Sequence, residues 1–229
     1  MRIGGFKKVS LIDYPGKISS IIFTCGCNFR CPYCHNPELV LAEMFPKPVN
    51  EKDIFSFLEK RKGKIDGVVI TGGEPTIHPD LPSFMKKIKE TGYLIKIDTN
   101  GSNPEMLRKI INYGLVDYIA MDIKAPLTKY DKITETNVDT EKIAKSIQII
   151  FESGVKYEFR TTVVKGLLSI KDIITIGSII KGARMYVLQK FSSSKTLKPD
   201  FQNKTTFSQE EFENLRKMLE EFVDKCFIR

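Results

Sequence analysis

The sequence predicts an α/β fold built on a parallel sheet, and three observations carry that reading. Six short β-branched runs alternate with amphipathic stretches of helical period. Those runs are almost continuously apolar, as strands covered on both faces are. Caps and glycines fall where each helical stretch should begin and end. Repeated β/α alternation requires right-handed crossovers between parallel strands. Two architectures satisfy this: a doubly wound open sheet, or a partial or full (β/α) barrel.

Taken in order, the strands are expected at Ile18–Phe23, Gly67–Thr71, Leu94–Asp98, Tyr118–Asp122, Tyr157–Val163 and Met185–Gln189. Between them the spacing predicts helices over Glu51–Lys60, Leu81–Glu90, Pro104–Tyr113, Thr140–Ser153 and Ser169–Ile180. Asn50, with Asp53 three residues on, is a capping signal, and Asn103-Pro104 places a cap and then proline at the first helical position. Gly92, Gly114 and Gly154 each follow a helical run, where a left-handed terminator is expected. Ser208 with Glu211 forms a capping box opening a last helix, Gln209–Phe227. One domain over residues 1–229 is expected: 1–17 form a lead-in strand or hairpin, and 191–229 a C-terminal loop and helix. Within the latter, 191–206 is polar and irregular, a long loop or substrate-facing flap.

Composition narrows the function classes. The chain has 229 residues and is 41% hydrophobic, enough for a core. No run of about 18 apolar residues is present, so no membrane span is expected. Met1–Ser10 has basic residues but no apolar core of a secretory signal, so a cytoplasmic location is expected. Four of the five cysteines, Cys25, Cys27, Cys31 and Cys34, fall within ten residues. A secreted disulfide scaffold spreads its cysteines; clustered thiols point to a metal or to redox chemistry. Cys226 stands apart and reads as a small helix residue.

In both candidate architectures chemistry sits at the C-terminal ends of the strands. The first strand runs into Cys25-Gly-Cys27-Asn-Phe-Arg-Cys31-Pro-Tyr33-Cys34-His35. The second ends in Gly72-Gly73-Glu74-Pro75, the third in Asp98-Thr-Asn100-Gly101 and the fourth in Asp122-Ile-Lys124. The fifth carries Arg160, and the sixth ends in Gln189-Lys190. Polar and glycine-rich segments thus collect on one rim, where an active site is expected.

The cysteines allow three readings. Cys27, Cys31 and Cys34 form C-x3-C-x2-C, which can wrap three corners of a [4Fe–4S] cube and leave one iron free to bind a small molecule. Four cysteines, or His35 with them, could instead hold structural zinc, although only Cys31/Cys34 has the usual C-x2-C form. A redox dithiol would leave Cys27 without a role. Cys25 reads as a buried thiol at the strand end, yet a side chain two residues before Cys27 on an extended exit points the same way. The two glycines allow close backbone approach to a ligand, and Glu74 suits an ammonium or hydroxyl group; a plain turn fits as well. Arg160 within an apolar strand needs a carboxylate, from Glu74, Asp98, Asp122 or a ligand.

Together these motifs resemble the radical S-adenosylmethionine (SAM) enzymes. The signature is C-x3-C-x2-C with Tyr33 before the last cysteine, followed by Gly72-Gly73-Glu74-Pro75. Leu11-Ile-Asp-Tyr-Pro-Gly-Lys17, Cys27 through Glu38, and Leu188-Gln-Lys-Phe191 with Thr196-Leu197 resemble the activating proteins of anaerobic ribonucleoside-triphosphate reductase. Those are relatives of the pyruvate formate-lyase activating enzymes. The resemblance covers nearly the whole chain. It implies a partial (β/α)6 TIM-type barrel, with a [4Fe–4S] cluster on Cys27, Cys31 and Cys34 and SAM on its free iron. It also implies SAM contacts from Gly72, Gly73 and Glu74 to the methionyl part, Tyr33 near the adenine, and Asp98, Asn100 and Arg160 lining the site. Reductive cleavage of SAM would give a 5′-deoxyadenosyl radical that takes hydrogen from a glycine of a partner enzyme. An oxygen-sensitive cluster adds an anaerobic setting to the cytoplasmic one.

Two other functions remain open at this point: small-molecule chemistry on a pterin-derived precursor, as in 7-carboxy-7-deazaguanine synthase, and a zinc-stabilised binding module. Thirty-six Lys and Arg against 28 Asp and Glu give a net charge of +8. The lysines are dispersed and no arginine-rich arm is present, so nucleic acid is not expected as a partner. A basic rim suits an acidic electron donor such as flavodoxin or ferredoxin.

Overall fold

A computed structural model describes all residues, 1–229. Eight strands form one sheet in the order of the chain: β1 Ile3–Ser10, β2 Ser19–Thr24, β3 Gly67–Gly72, β4 Leu94–Thr99, β5 Tyr118–Asp122, β6 Lys156–Val163, β7 Tyr186–Lys190 and β8 Cys226–Ile228. β1 pairs antiparallel with β2 as a hairpin; every later pair is parallel. A doubly wound sheet reverses its strand order partway. Here the order never reverses, so right-handed crossovers stack the helices on one face and the sheet curls as an open barrel. β1 and β8 stay unpaired with each other, leaving a lateral gap.

The helices are α1 Pro37–Val40, α2 Glu51–Lys60, α3 Leu81–Glu90, α4 Pro104–Asn112, α5 Tyr130–Thr134, α6 Thr140–Glu152, α7 Ile170–Ile179 and α8 Gln209–Leu219. The expected caps form: Asn50, Asn103 and Ser208 each accept a backbone N–H of the first turn. The helix-facing side of the sheet carries Ile22, Ile70, Ile97, Ile119, Phe159 and Leu188, all fully buried, and these belong to the main core. The other side, facing the barrel axis, is polar along β4, β5 and β6. Register puts Lys96, Asp98, Asp122, Glu158, Arg160 and Thr162 on that face. A filled (β/α) barrel carries branched aliphatics there. The charged lining marks this one as a chamber.

The six predicted strands are present within a residue at either end, and the lead-in is a strand. One element is corrected. The last helix stops at Leu219 instead of reaching Phe227, and Cys226 lies on β8. The apolar spacing Phe212, Leu215, Leu219, Val223, Cys226 continues the helical period, but the open edge of β7 needs backbone partners. Tyr186 N–H donates to Lys225 C=O, and Arg229 N–H to Leu188 C=O, both at 2.9 Å. Two short helices, α1 and α5, flank the cysteine loop and have no periodic signal to announce them. No helix is long and apolar enough to cross a membrane.

Candidate active site

The C-terminal rim of the barrel opens into a cavity of about 420 Å³. It brings together Cys27, Tyr33, Cys31, Cys34, Gly72, Gly73, Glu74, Asp98, Asn100 and Arg160, the residues that the resemblance implies for cluster and SAM.

The cysteine loop leaves β2 and is held by backbone. Cys31-Pro32-Tyr33-Cys34 closes as a turn, with Cys34 N–H donating to Cys31 C=O at 3.0 Å and Pro32 fixing the first φ. Gly26 C=O accepts from Glu74 N–H at 2.7 Å, and Thr24 C=O from Gly73 N–H at 2.9 Å. This approach explains the glycine pair. A Cβ on Gly73 would stand 1.9 Å from the Gly26 carbonyl oxygen. Gly72 has φ +118°, a conformation that L side chains rarely adopt. The backbone they admit is thus that of the cysteine loop itself.

Cys25 is settled by direction. Its sulfur lies beside Gly4, where an added Cβ would come within 2.5 Å of it, and beside Leu39. The residue does not line the cavity. It packs as a buried thiol behind the loop.

Burial dominates the three cavity thiols. It pushes Cys27 up to about 12, Cys31 up to about 11, and raises Cys34 as well. Ionising them requires a strong local positive charge, which bound iron supplies. No three Cys, His, Asp or Glu side chains converge as ligands of one ion. The fully buried Tyr33 hydroxyl has no hydrogen-bond partner within the chain, so a ligand's polar group would satisfy it.

Glu74 is 1% exposed, and its carboxylate is already engaged. It accepts from Thr76 N–H at 3.0 Å, Thr99 hydroxyl at 2.7 Å and Asn100 N–H at 2.6 Å. Burial raises its pKa against those donors. The side chain therefore ties the end of β3 to the end of β4. Asn100 in turn donates to Asn28 at 3.0 Å and places its amide 4.0 Å from the Cys27 sulfur.

Arg160 finds two of its candidate partners. Its Nε donates to Asp122 at 2.8 Å, and Nη1 lies 3.4 Å from Asp98; Glu74 is not among them. Lys96, 2% exposed, pairs with Asp98, and Lys124 pairs with Asp122 at 3.0 Å. Burial opposes ionisation of both aspartates, but Arg160 with Lys124 outweighs it at Asp122, which falls to about 2. Arg160 with Lys96 lowers Asp98 in the same way. Both remain carboxylates at neutral pH, able to accept hydroxyl groups. Lys124 stays protonated beside the cysteines and can bind a carboxylate.

Sequence reasoning left Lys124 ambiguous and did not place Asp13 or Thr162 on the cavity wall, where they lie; Thr71, Thr99 and Gln189, which it put at the strand ends of the rim without a role, line the cavity too. For Asp122 and Lys124 the signal was present as two charges of one face at a strand exit. Asp13 offered none, because the lead-in turn reaches the cavity only through tertiary folding.

Residues 191–206 form a strap over the cysteine loop. Lys198 N–H donates to Pro32 C=O at 2.9 Å. His35 hydrogen-bonds Ser192 C=O at 2.7 Å and stacks on Phe191. Lys195 pairs with Glu38 and Lys198 with Glu135, each at 2.6 Å.

Comparison with known proteins places this geometry. The family model of the radical SAM superfamily matches residues 21–172. A Methanocaldococcus jannaschii protein provisionally named a glycyl-radical enzyme activating enzyme is 34% identical over 99% of this chain and 95% of its own length. A pyruvate formate-lyase-activating enzyme of Clostridium pasteurianum is 32% identical over 80% of this chain and 77% of its own. Among solved structures, a domain of pyruvate-formate lyase-activating enzyme from Bacteroides vulgatus superposes with a TM-score of 0.57 at 20% identity, covering 72% of this chain and 99% of that one.

Proposed function

The chain belongs to the radical SAM superfamily, and from that premise we propose that it is an activating enzyme that installs a glycyl radical on a partner protein. The family implies a [4Fe–4S] cluster and SAM. Cys27, Cys31 and Cys34 would hold the cluster. The observation that carries the reading is the meeting, in one cavity, of three buried thiols, the Gly72-Gly73 backbone and the Asp98–Arg160–Asp122–Lys124 lattice.

When bound, cluster and SAM supply a carbon-centred radical able to abstract hydrogen. The chain's own groups orient and shield. The Gly72-Gly73 backbone, Asp98, Asn100 and Arg160 line SAM's place, with Tyr33 beside it and Glu74 fixing the loop. Lys124 balances negative charge next to the thiolates. A glycine-bearing segment reaches the same cavity through the lateral gap. The motifs Leu11–Lys17 and Leu188–Phe191 support anaerobic ribonucleoside-triphosphate reductase as the partner. The net charge of +8 supports an acidic flavodoxin or ferredoxin as electron donor.

The test is anaerobic reconstitution with iron and sulfide, followed by dithionite, SAM and the reductase. 5′-Deoxyadenosine and a glycyl-radical doublet in electron paramagnetic resonance are expected. A formed cluster without 5′-deoxyadenosine would overturn the enzymatic reading. 5′-Deoxyadenosine without a doublet would remove this partner, and turnover of a pterin-derived precursor would assign small-molecule chemistry instead.

A further inference from the structure

The turn joining β1 to β2 is the most exposed apolar feature of the molecule. Leu11 is 71% exposed and Ile12 82%, and Val9 and Ile18 flank them at 46% and 40%. Single exposed aliphatics are ordinary; four within ten residues, next to a functional cavity, are not. Their neighbours hold the turn firmly in place. Tyr14 is buried inside the barrel against Ile21, Val69 and Tyr118. Ser10 binds the Asp13 carboxylate, and Lys17 N–H donates to Tyr14 C=O at 3.0 Å. The turn therefore presents Leu11 and Ile12 to solvent on a rigid base.

Its position gives the patch a purpose. Asp13, the very next residue, lines the active-site cavity together with Gln189 of β7. The turn lies at the N-terminal end of β2, at the foot of β1, the strand that forms one edge of the lateral gap, and Asp13 reaches the cavity from there. Across that gap, Phe227 of β8 shares the axis-facing side with Val187 and is 43% exposed. Lys7, Lys8 and Lys17 are exposed around the turn.

We propose that the Leu11-Ile12 tip, ringed by Lys7, Lys8 and Lys17, is the docking anchor for the body of the protein whose glycine-bearing segment enters the cavity. This rests on the functional reading above. The occupant is a folded protein with an apolar pocket in an acidic face. A small-molecule substrate would enter the cavity without touching side chains outside its mouth. A protein needs grip beyond the few residues that fit inside. Fully desolvated side chains at the centre of such a contact carry most of its affinity, Leu11 and Ile12 would add to it through the apolar area they remove from water, and the lysines speed encounter with an acidic partner.

The experiment compares wild type with Leu11→Ser/Ile12→Ser and with Lys7→Glu/Lys17→Glu, using anaerobic ribonucleoside-triphosphate reductase as the probe. Binding is measured by interferometry without cofactor, and glycyl-radical yield and uncoupled 5′-deoxyadenosine release after reconstitution. The apolar variant is expected to bind about tenfold or more weakly and to raise KM for the reductase, with uncoupled release unchanged. The charge variant is expected to slow association and lose its salt dependence. Equal binding by wild type and the apolar variant overturns the anchor alone. A wild type that neither binds nor activates the reductase overturns the functional reading and this proposal with it. Loss of a homodimer, or of binding to anionic vesicles, with reductase binding intact would reassign the tip.

Discussion

The cavity wall formed by β2 and β3 is made of backbone, whereas the wall formed by β4, β5 and β6 is made of charge. On the first, Gly72 and Gly73 bring two chain segments within hydrogen-bond distance, and no ionised side chain takes part except Glu74, whose donors are the neutral groups of Thr76, Thr99 and Asn100. On the second, Lys96, Asp98, Arg160, Asp122 and Lys124 alternate in sign through the barrel interior. The difference follows from what each wall must hold. A cluster loop has to be fixed in shape, and backbone geometry does that rigidly. A charged, zwitterionic ligand has to be met by fixed dipoles and ions, which a low-dielectric chamber strengthens. The two walls should therefore fail differently.

Gly73→Ala should do the most damage. Its Cβ would overlap the Gly26 carbonyl oxygen, an atom of fixed backbone. The cysteine loop must then move. We expect destabilisation of about 4 kcal/mol, with iron bound after reconstitution falling well below that of wild type. Urea unfolding and iron assay check both. Native stability with full iron loading would show that the backbone wall yields.

Arg160→Met attacks the other wall. It leaves Asp98 with Lys96 and Asp122 with Lys124, so both carboxylates keep a counter-charge but lose their charge-assisted contacts to the guanidinium, at a cost of about 2–3 kcal/mol. Here the cysteine loop is untouched, so iron loading should persist while affinity for SAM drops. Equilibrium dialysis separates the two. Parallel loss of iron and SAM would mean that the walls are not independent.

The charge wall should also be sensitive to acid. Asp122 sits at about 2 in the folded protein against an ordinary 3.8. A depressed carboxylate adds stability above its unfolded value, and that stability is lost as pH falls through the folded one. A contribution of about 2 kcal/mol should therefore be full above pH 4 and vanish between about pH 4 and 2. Asp122→Asn should be less stable at neutral pH and show a flatter acid limb. Urea midpoints measured from pH 5 to 2 test the slope.

How far the sequence reveals each wall depends on the range of the interactions that build it. Strands β2 to β7 and the cysteine spacing were legible because apolar runs and ligand spacing are local properties. Arg160 was legible as a charge needing a partner, but its choice of Asp98 and Asp122 over Glu74 was not. That choice depends on register, which sets Asp122 directly opposite Arg160. Cys226 misled, since its helical spacing from Leu219 was overruled by the unpaired edge of β7. Asp13 was silent, because only burial of Tyr14 carries it to the cavity. The direction of the Cys25 side chain likewise emerged only from packing against Gly4.

The strap extends the contrast to a smaller scale, because one residue there uses both devices. Lys198 donates its backbone N–H to Pro32 and pairs its ammonium with Glu135 at the surface. The side chains of that pair are 51% and 34% exposed, so solvent and salt screen the attraction. Lys198→Ala should therefore cost no more than about 0.5 kcal/mol. Lys198→Pro removes the N–H and leaves the Pro32 carbonyl without its donor, at a cost of about 1–2 kcal/mol. It should also speed loss of iron from the reconstituted protein to a chelator, because the released carbonyl lies within the turn between Cys31 and Cys34. If the alanine variant loses iron as fast as the proline one, the strap is held by charge, and the division between a backbone wall and a charged wall does not extend to it.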